Sequence, residues 1–249
     1  MKYGLCNLSI VPLRFEDSDL SEMVSQVIYG DLFEIIEVTK KWCKIRLSTD
    51  QYEGWIDSKQ FVSISDTEFE QLSKLPLKLS THLLDVITTS SNTLLPISLG
   101  SNVSVSNFLN HSFEGDTNDN SFNKGNIIET AQMYLNSPYL WGGKTPFGID
   151  CSGFTQMVYK LNGIILQRDA RQQVTQGEVL SFIEESEPGD LAFFDNDEGI
   201  ITHVGIILEN NRIIHAHGKV RIDKLDHSGI FNIEKKIHTH KLRIIKRVV

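Results

Sequence analysis

The hydrophobic pattern of this chain changes period near Asn126, and that change limits the folds open to it. Before it, short strand-like runs such as Phe33–Val38 and Trp42–Leu47 alternate with turn signals, among them Gly30-Asp31 and Ser48-Thr49-Asp50-Gln51. Lys44-Ile45-Arg46-Leu47 alternates as a half-buried strand should. After it, Ile127, Ile128, Ala131, Met133, Tyr134 and Leu135 recur at helical spacing, and Pro138 ends that helix. A second helix is predicted from Cys151 to about Leu161, with Phe154, Met157, Val158 and Leu161 on one face. Strand signals then return in Leu191–Phe194, His203–Leu208 and Arg212–Ala216. Helices first and a sheet afterwards predict an α+β domain behind an all-β one.

The 249 residues suffice for two or three small domains. Residues 1–63 read as one all-β barrel. Residues 64–122 read as a second, degenerate barrel, with strands at Leu83–Ile87 and Leu94–Leu99 and a polar linker at Asp116–Ser121. Residues 123–249 form the third domain. The net charge of −8 and the lack of a basic cluster exclude a nucleic-acid backbone as partner. No apolar run reaches bilayer length, so membrane insertion is not expected. The start, Met1 to Asn7, has no signal-peptide core, which predicts a cytoplasmic location, or a periplasmic or secreted one if a leader has been removed. Oligomeric state is not legible.

The three cysteines, Cys6, Cys43 and Cys151, form no CxxC pair, so no zinc site is expected from their spacing. Cys6 and Cys43 sit in apolar, strand-like surroundings and read as buried structural thiols. Cys151 is different, because it opens a helix. Unpaired N–H groups and the helix dipole at that end favour negative charge on sulfur. A nucleophilic thiol also needs a base, and His203 and His215 lie downstream on two strands joined by Glu209-Asn210-Asn211. With that three-residue loop, the histidines become diagonal neighbours on one face. Cys151 is then the candidate nucleophile, His203 its base, and His215 the group that orients His203, with His217 as rival orienter. The Cys151 N–H is a natural oxyanion donor, and Tyr139 is a second candidate. Asp190 reads as a turn stabiliser and Trp141 as a cleft wall. His82, His111, His227, His238 and His240 read as surface residues. No metal, nucleotide or organic cofactor is expected, and no GxxxxGK[ST] or GxGxxG stretch is present.

Five ordered motifs carry a family resemblance. They are Tyr139-Leu140-Trp141-Gly142-Gly143, Asp150-Cys151-Ser152-Gly153-Phe154, Pro188-Gly189-Asp190-Leu191, His203-Val204-Gly205-Ile206 and His215-Ala216-His217-Gly218. The segment from about Gly125 to Arg247 resembles the NlpC/P60 cysteine peptidases, papain-like enzymes that cut cell-wall peptides. His217 departs from the family, which more often has Ser there. The first block resembles a bacterial SH3-like (SH3b) domain through Val11-Pro12-Leu13-Arg14, Gly30-Asp31, Trp42-Cys43-Lys44-Ile45 and Gly54-Trp55-Ile56. Together they resemble the family's γ-D-glutamyl-L-diamino acid endopeptidases.

The resemblance implies a peptidoglycan stem peptide as partner, with a free N-terminal L-Ala joined to γ-D-Glu and then a diamino acid. It implies that Asp150 binds the L-Ala ammonium, and that Ser152, Arg168 and Asp169 line the D-Glu pocket. Glu22 and Tyr52 would contribute from the SH3b side. A muramoyl-L-alanine amidase on the same fold is the enzymatic alternative. A wall-binding protein with an idle catalytic domain is the non-enzymatic one, although Cys151, His203 and His215 are all present.

Overall fold

The computed structural model describes residues 2–119, 121 and 124–248. The chain divides into two compact units. The first runs up to Ser121 and takes in Trp141–Pro146, and the second holds the rest.

In the first unit, β1 (Tyr3–Leu5), β2 (Ile10–Arg14), β3 (Met23–Ile28), β4 (Leu32–Val38), β5 (Trp42–Leu47), β6 (Glu53–Asp57) and β7 (Val62–Ile64) form a seven-stranded antiparallel sheet. Its order is β3-β2-β6-β5-β4-β1-β7. The alternation read in Lys44–Leu47 is the physical one: Ile45 and Leu47 are buried, and Lys44 and Arg46 lean outward onto Glu53. Gly30 turns β3 into β4 at φ +85°, and the Asp31 carboxylate accepts the Ile28 N–H at 2.9 Å. Val11, Leu13, Val27, Phe33, Ile45 and Ile56 fill the sheet's interior with Cys6 and Cys43, both free thiols.

Of residues 64–122, expected to form a second barrel, the described ones hold α1 (Asp66–Ser73) and two short antiparallel ladders. One pairs β8 (Leu79–Ser80) with β11 (Thr117–Asn118), the other β9 (Leu84–Thr88) with β10 (Leu94–Ser98). Ser65 and Glu68 close a capping box on α1. This region shares a core with the first sheet, since Leu72, Ile87, Ile97, Val103 and Val105 cluster with Leu5, Tyr29 and Ile64. The Tyr29 hydroxyl and His111 Nδ1 hydrogen-bond at 3.0 Å across that junction, so His111 is half-buried rather than a free surface residue.

The second unit begins with α2 (Ile127–Met133), which ends before Asn136 at φ +68° and Pro138. The dipeptide strand β12 (Lys144–Thr145) lies in the stretch that groups with the first unit, and in the second unit β13 (Gly148–Ile149) precedes α3 (Cys151–Leu161) and α4 (Ala170–Gln173). The strands β14 (Glu178–Leu180), β15 (Leu191–Asp195), β16 (Ile201–Leu208), β17 (Arg212–His217), β18 (Lys219–Asp226), β19 (Gly229–Asn232) and β20 (Ile237–Arg247) follow. They run in the order β14-β20-β15-β16-β17-β18-β19, and β20 also pairs with β19. The sheet therefore curls back on itself through its longest strand. Every residue of α3 is buried, as expected of a helix packed on the curled sheet through β16 and β17.

Candidate active site

The site is built on the first turn of α3. Asp150 is its N-cap, and its carboxylate accepts the Gly153 N–H at 2.6 Å. This fixes Cys151 as the first helical residue, 7% exposed. Arg168, 1% exposed, grips both Asp150 oxygens, at 3.0 and 2.6 Å, and donates to Ser152 Oγ at 3.0 Å. Asp150, Ser152 and Arg168 thus form one buried, bidentate group beside the thiol. Asp169 stands next in sequence but caps α4 in a box with Gln172.

The base comes from the curled sheet. The loop between β16 and β17 is Glu209-Asn210-Asn211, with both asparagines at positive φ (59° and 53°), and the register pairs Ile206 with Ile214. Extending that register sets Gly205 opposite His215. A Cβ on Gly205 would lie 2.9 Å from His215 Cβ and 2.8 Å from Ile213, so glycine clears the space the His215 ring root occupies. His203 and His215 emerge as diagonal neighbours, with Nε2 of His203 and Nδ1 of His215 2.8 Å apart. Backbone N–H groups of Val204 and Ser152 reach the Cys151 sulfur, which sets the thiol against the strand that carries His203.

Two partners of this pair were not read in the sequence. Asp223, fully buried on β18, takes His215 Nε2 at 3.2 Å and is itself held by Arg221 at 2.7 and 3.1 Å and by the Ile233 N–H at 3.0 Å. Its signal is a carboxylate in alternation with Leu225, the buried residue two positions on along the same strand. The second is His240, expected at the surface. It is half-buried, and its ring stacks on His203 at 4.2 Å between centroids and 24° between planes. The reason is the register shift between Ile230 and Phe231 where β19 meets β20, which resets the alternation of β20 around His240.

The electrostatics assign the protons. Burial opposes the charge on Asp223, yet hydrogen bonds from His215, Arg221 and the Ile233 N–H hold its carboxyl well below the usual range. Burial, then the neighbouring His215, His240 and His217, hold His203 well below an ordinary imidazole, and burial lowers His215 as well. A neutral His215 facing a carboxylate donates Nε2–H to it. Its Nδ1 is then an acceptor, so His203 donates Nε2–H, and His203 keeps its lone pair on Nδ1. Burial, followed by the charge of Asp150, pushes the Cys151 thiol up to about 12, against the pull of Arg168 and the two backbone N–H groups. Burial thus opposes the pull of the helix end toward negative charge on the sulfur.

An open cavity of about 400 Å³ reaches His203, which lines it with Tyr139, Thr202, His217, Gly218 and His240. Burial holds the Tyr139 hydroxyl above its ordinary value, so it remains a donor at neutral pH. Glu22 and Tyr52 belong to the first unit. There Glu22 accepts the Trp141 indole N–H, and Tyr52 packs on the sheet core.

A nucleophile at a helix start, a base on the adjoining strand and a buried orienting pair are the parts of a cysteine hydrolase. Residues 136–238 match the NlpC/P60 family, and residues 16–61 match the bacterial dipeptidyl-peptidase Sh3 domain.

The chain carries an NlpC/P60 cysteine peptidase domain behind a bacterial Sh3 domain.

Among relatives of this chain, dipeptidyl-peptidase 6 of Lysinibacillus sphaericus is 28% identical over 85% of this chain and 88% of its own length. The γ-D-glutamyl-L-lysine dipeptidyl-peptidase of Bacillus cereus is 26% identical over 80% of this chain and 68% of its own. Its Bacillus subtilis namesake is 40% identical, over 36% of this chain and 31% of its own. A crystal structure of an NlpC/P60 family protein from Bacillus cereus shares the fold across 99% of both chains, with a TM-score of 0.79 at 21% identity.

Proposed function

We propose that this protein hydrolyses the amide bond between γ-D-glutamate and a diamino acid in peptidoglycan-derived peptides that begin with a free L-Ala. The observation that carries the chemistry is the hydrogen-bonded series His203–His215–Asp223 beside Cys151. The substrate class is supported by two relatives that align over at least 80% of this chain, one of them a γ-D-glutamyl-L-lysine dipeptidyl-peptidase.

In this proposal, substrate entry replaces water over the thiol. His203 Nδ1 takes the Cys151 proton as sulfur attacks the γ-carbonyl carbon, and the imidazolium is stabilised through His215 by the Asp223 carboxylate. The Cys151 N–H and the Tyr139 hydroxyl face the oxyanion. Collapse of the tetrahedral species passes the proton from His203 to the leaving amine. A water, deprotonated by His203, then releases the acyl group from sulfur. In this reading the L-Ala ammonium would share the Asp150 carboxylate, both of whose oxygens Arg168 already holds, and the α-carboxylate would meet the Arg168 guanidinium and Ser152 Oγ.

Mass spectrometry of L-Ala-γ-D-Glu-L-Lys digests tests this directly. Wild-type protein is expected to yield L-Ala-D-Glu and free Lys, and Cys151→Ala none. Cleavage of a muramoyl peptide before L-Ala, with the γ-bond left whole, would favour the amidase instead.

A further inference from the structure

Three imidazoles converge at the mouth of the site: His203, His215 and His240, with one ligating atom from each lying within 4.8 Å of the others. The first two are buried and the third is half-buried at the cavity wall. Catalysis as derived above uses His203 and His215, but assigns His240 no task. A histidine stacked on the catalytic base at 4.2 Å, in a cavity that also holds His217, calls for a different explanation.

We propose that His203, His215 and His240 form a divalent-cation site, of the kind that takes Zn²⁺ through three imidazole nitrogens and one water, and that occupation of this site switches the hydrolase off. The binding claim stands on the geometry alone. The inhibitory consequence rests on the peptidase reading.

The donor chemistry fits. Zinc bonds to imidazole nitrogen at about 2.0–2.1 Å in near-tetrahedral sites, which sets ligating nitrogens roughly 3.4 Å apart. His203 Nε2 and His215 Nδ1 stand at 2.8 Å, so they must part slightly, and His240, the most exposed of the three, must close inward. The outer partners are in place. A ligating histidine usually gives its second nitrogen to a carboxylate or other fixed group. His215 gives Nε2 to Asp223, and Thr239 Oγ1 engages His240 Nδ1 at 2.9 Å, which leaves His240 Nε2 for the ion. Three imidazoles and an open cavity side match an open zinc coordination sphere, and imidazole ligands suit Zn²⁺ over Mg²⁺ or Ca²⁺.

The proton balance gives the inhibition. In the metal-free pair, the proton shared by the two rings sits on His203 Nε2. When Nε2 bonds the ion, that proton moves to Nδ1 of the same ring. No atom is lost, but Nδ1 no longer carries the lone pair that accepts the Cys151 proton.

Titration calorimetry with zinc chloride on tag-free protein, beside Co²⁺ absorption spectra, tests the site. His240→Phe keeps a ring on His203 and removes only the ligating nitrogen. Wild type is expected to bind one Zn²⁺ per chain, Cys151→Ala to bind it equally, and His240→Phe to bind at least tenfold more weakly. Co²⁺ is expected to give ligand-field bands without sulfur-to-cobalt charge transfer. No stoichiometric binding by wild type, equal affinity in His240→Phe, or a strong sulfur-to-cobalt band would each overturn the proposal. Peptide hydrolysis measured alongside separates the two readings. Zinc binding without hydrolysis of any γ-D-glutamyl peptide leaves the site standing and removes the function. Hydrolysis unaffected by zinc, in a protein that binds none, does the reverse.

Discussion

At the residue scale, the account turns on which nitrogen carries which proton. Asp223 fixes His215, and His215 fixes His203, so a change at Asp223 reaches the nucleophile without touching substrate. Asp223→Asn is expected to lower kcat on the order of 10²–10⁴-fold with KM nearly unchanged, because it withdraws the carboxylate that orients the general base. Steady-state kinetics on the γ-D-glutamyl peptide measure it, and a change confined to KM would contradict the relay. The placement of Cys151 at a helix start, and of His203 and His215 on one face of a hairpin, is legible because a helix start and a three-residue hairpin loop each leave a local signature. Asp223 and His240 are not, because their inward direction depends on which strands close the sheet and where a bulge falls. His111 was misjudged for a related reason, its burial coming from a region whose pairing lacks a clear period. Burial lowers its imidazole from the ordinary value, so the folded protein prefers the neutral ring. Stability from His111 is therefore fully present above the unfolded pKa and declines as pH falls below it. An NMR titration is expected to place its midpoint below that of a solvent-exposed imidazole, and a midpoint at or above that value would contradict the assignment.

At the element scale, the first turn of α3 does two jobs. Asp150 caps the helix and neutralises Arg168, and both are almost fully buried. Removing one member of such a pair leaves an uncompensated charge, which costs about 3–5 kcal/mol, whereas replacing both can be close to neutral. In urea unfolding, Asp150→Asn and Arg168→Met are each expected to destabilise strongly, and the double variant to lose much less than their sum. Additive losses would show that the two side chains do not act as a pair. Cys151 as a helix-start residue was legible. The net effect on its thiol was not, because burial opposes the helix end, and burial is a property of the packed sheet. The ladders at residues 79–118 show the same limit. Their strands at Leu84–Thr88 and Leu94–Ser98 lie close to the predicted runs, but their sharing of a core with Leu5 and Tyr29 is a tertiary fact that a strand pattern does not encode.

At the scale of the whole molecule, the change of period near Asn126 separates a β-rich first unit from an α+β second one. A boundary drawn in sequence cannot show that Trp141–Pro146 group with the first unit while their flanking residues group with the second. Among the described residues no helix is long and apolar enough to cross a membrane. The central claim is that this chain cuts γ-D-glutamyl peptides through Cys151 and recognises their free amino end. The most direct measurement is kcat/KM for L-Ala-γ-D-Glu-L-Lys against its N-acetylated form, with Cys151→Ala as control. The account predicts a loss of at least 100-fold on acetylation, since an unmade bond to a buried charge costs about 3 kcal/mol, and no turnover by the variant. Equal rates for the free and acetylated peptides, or residual cleavage by Cys151→Ala, would contradict it.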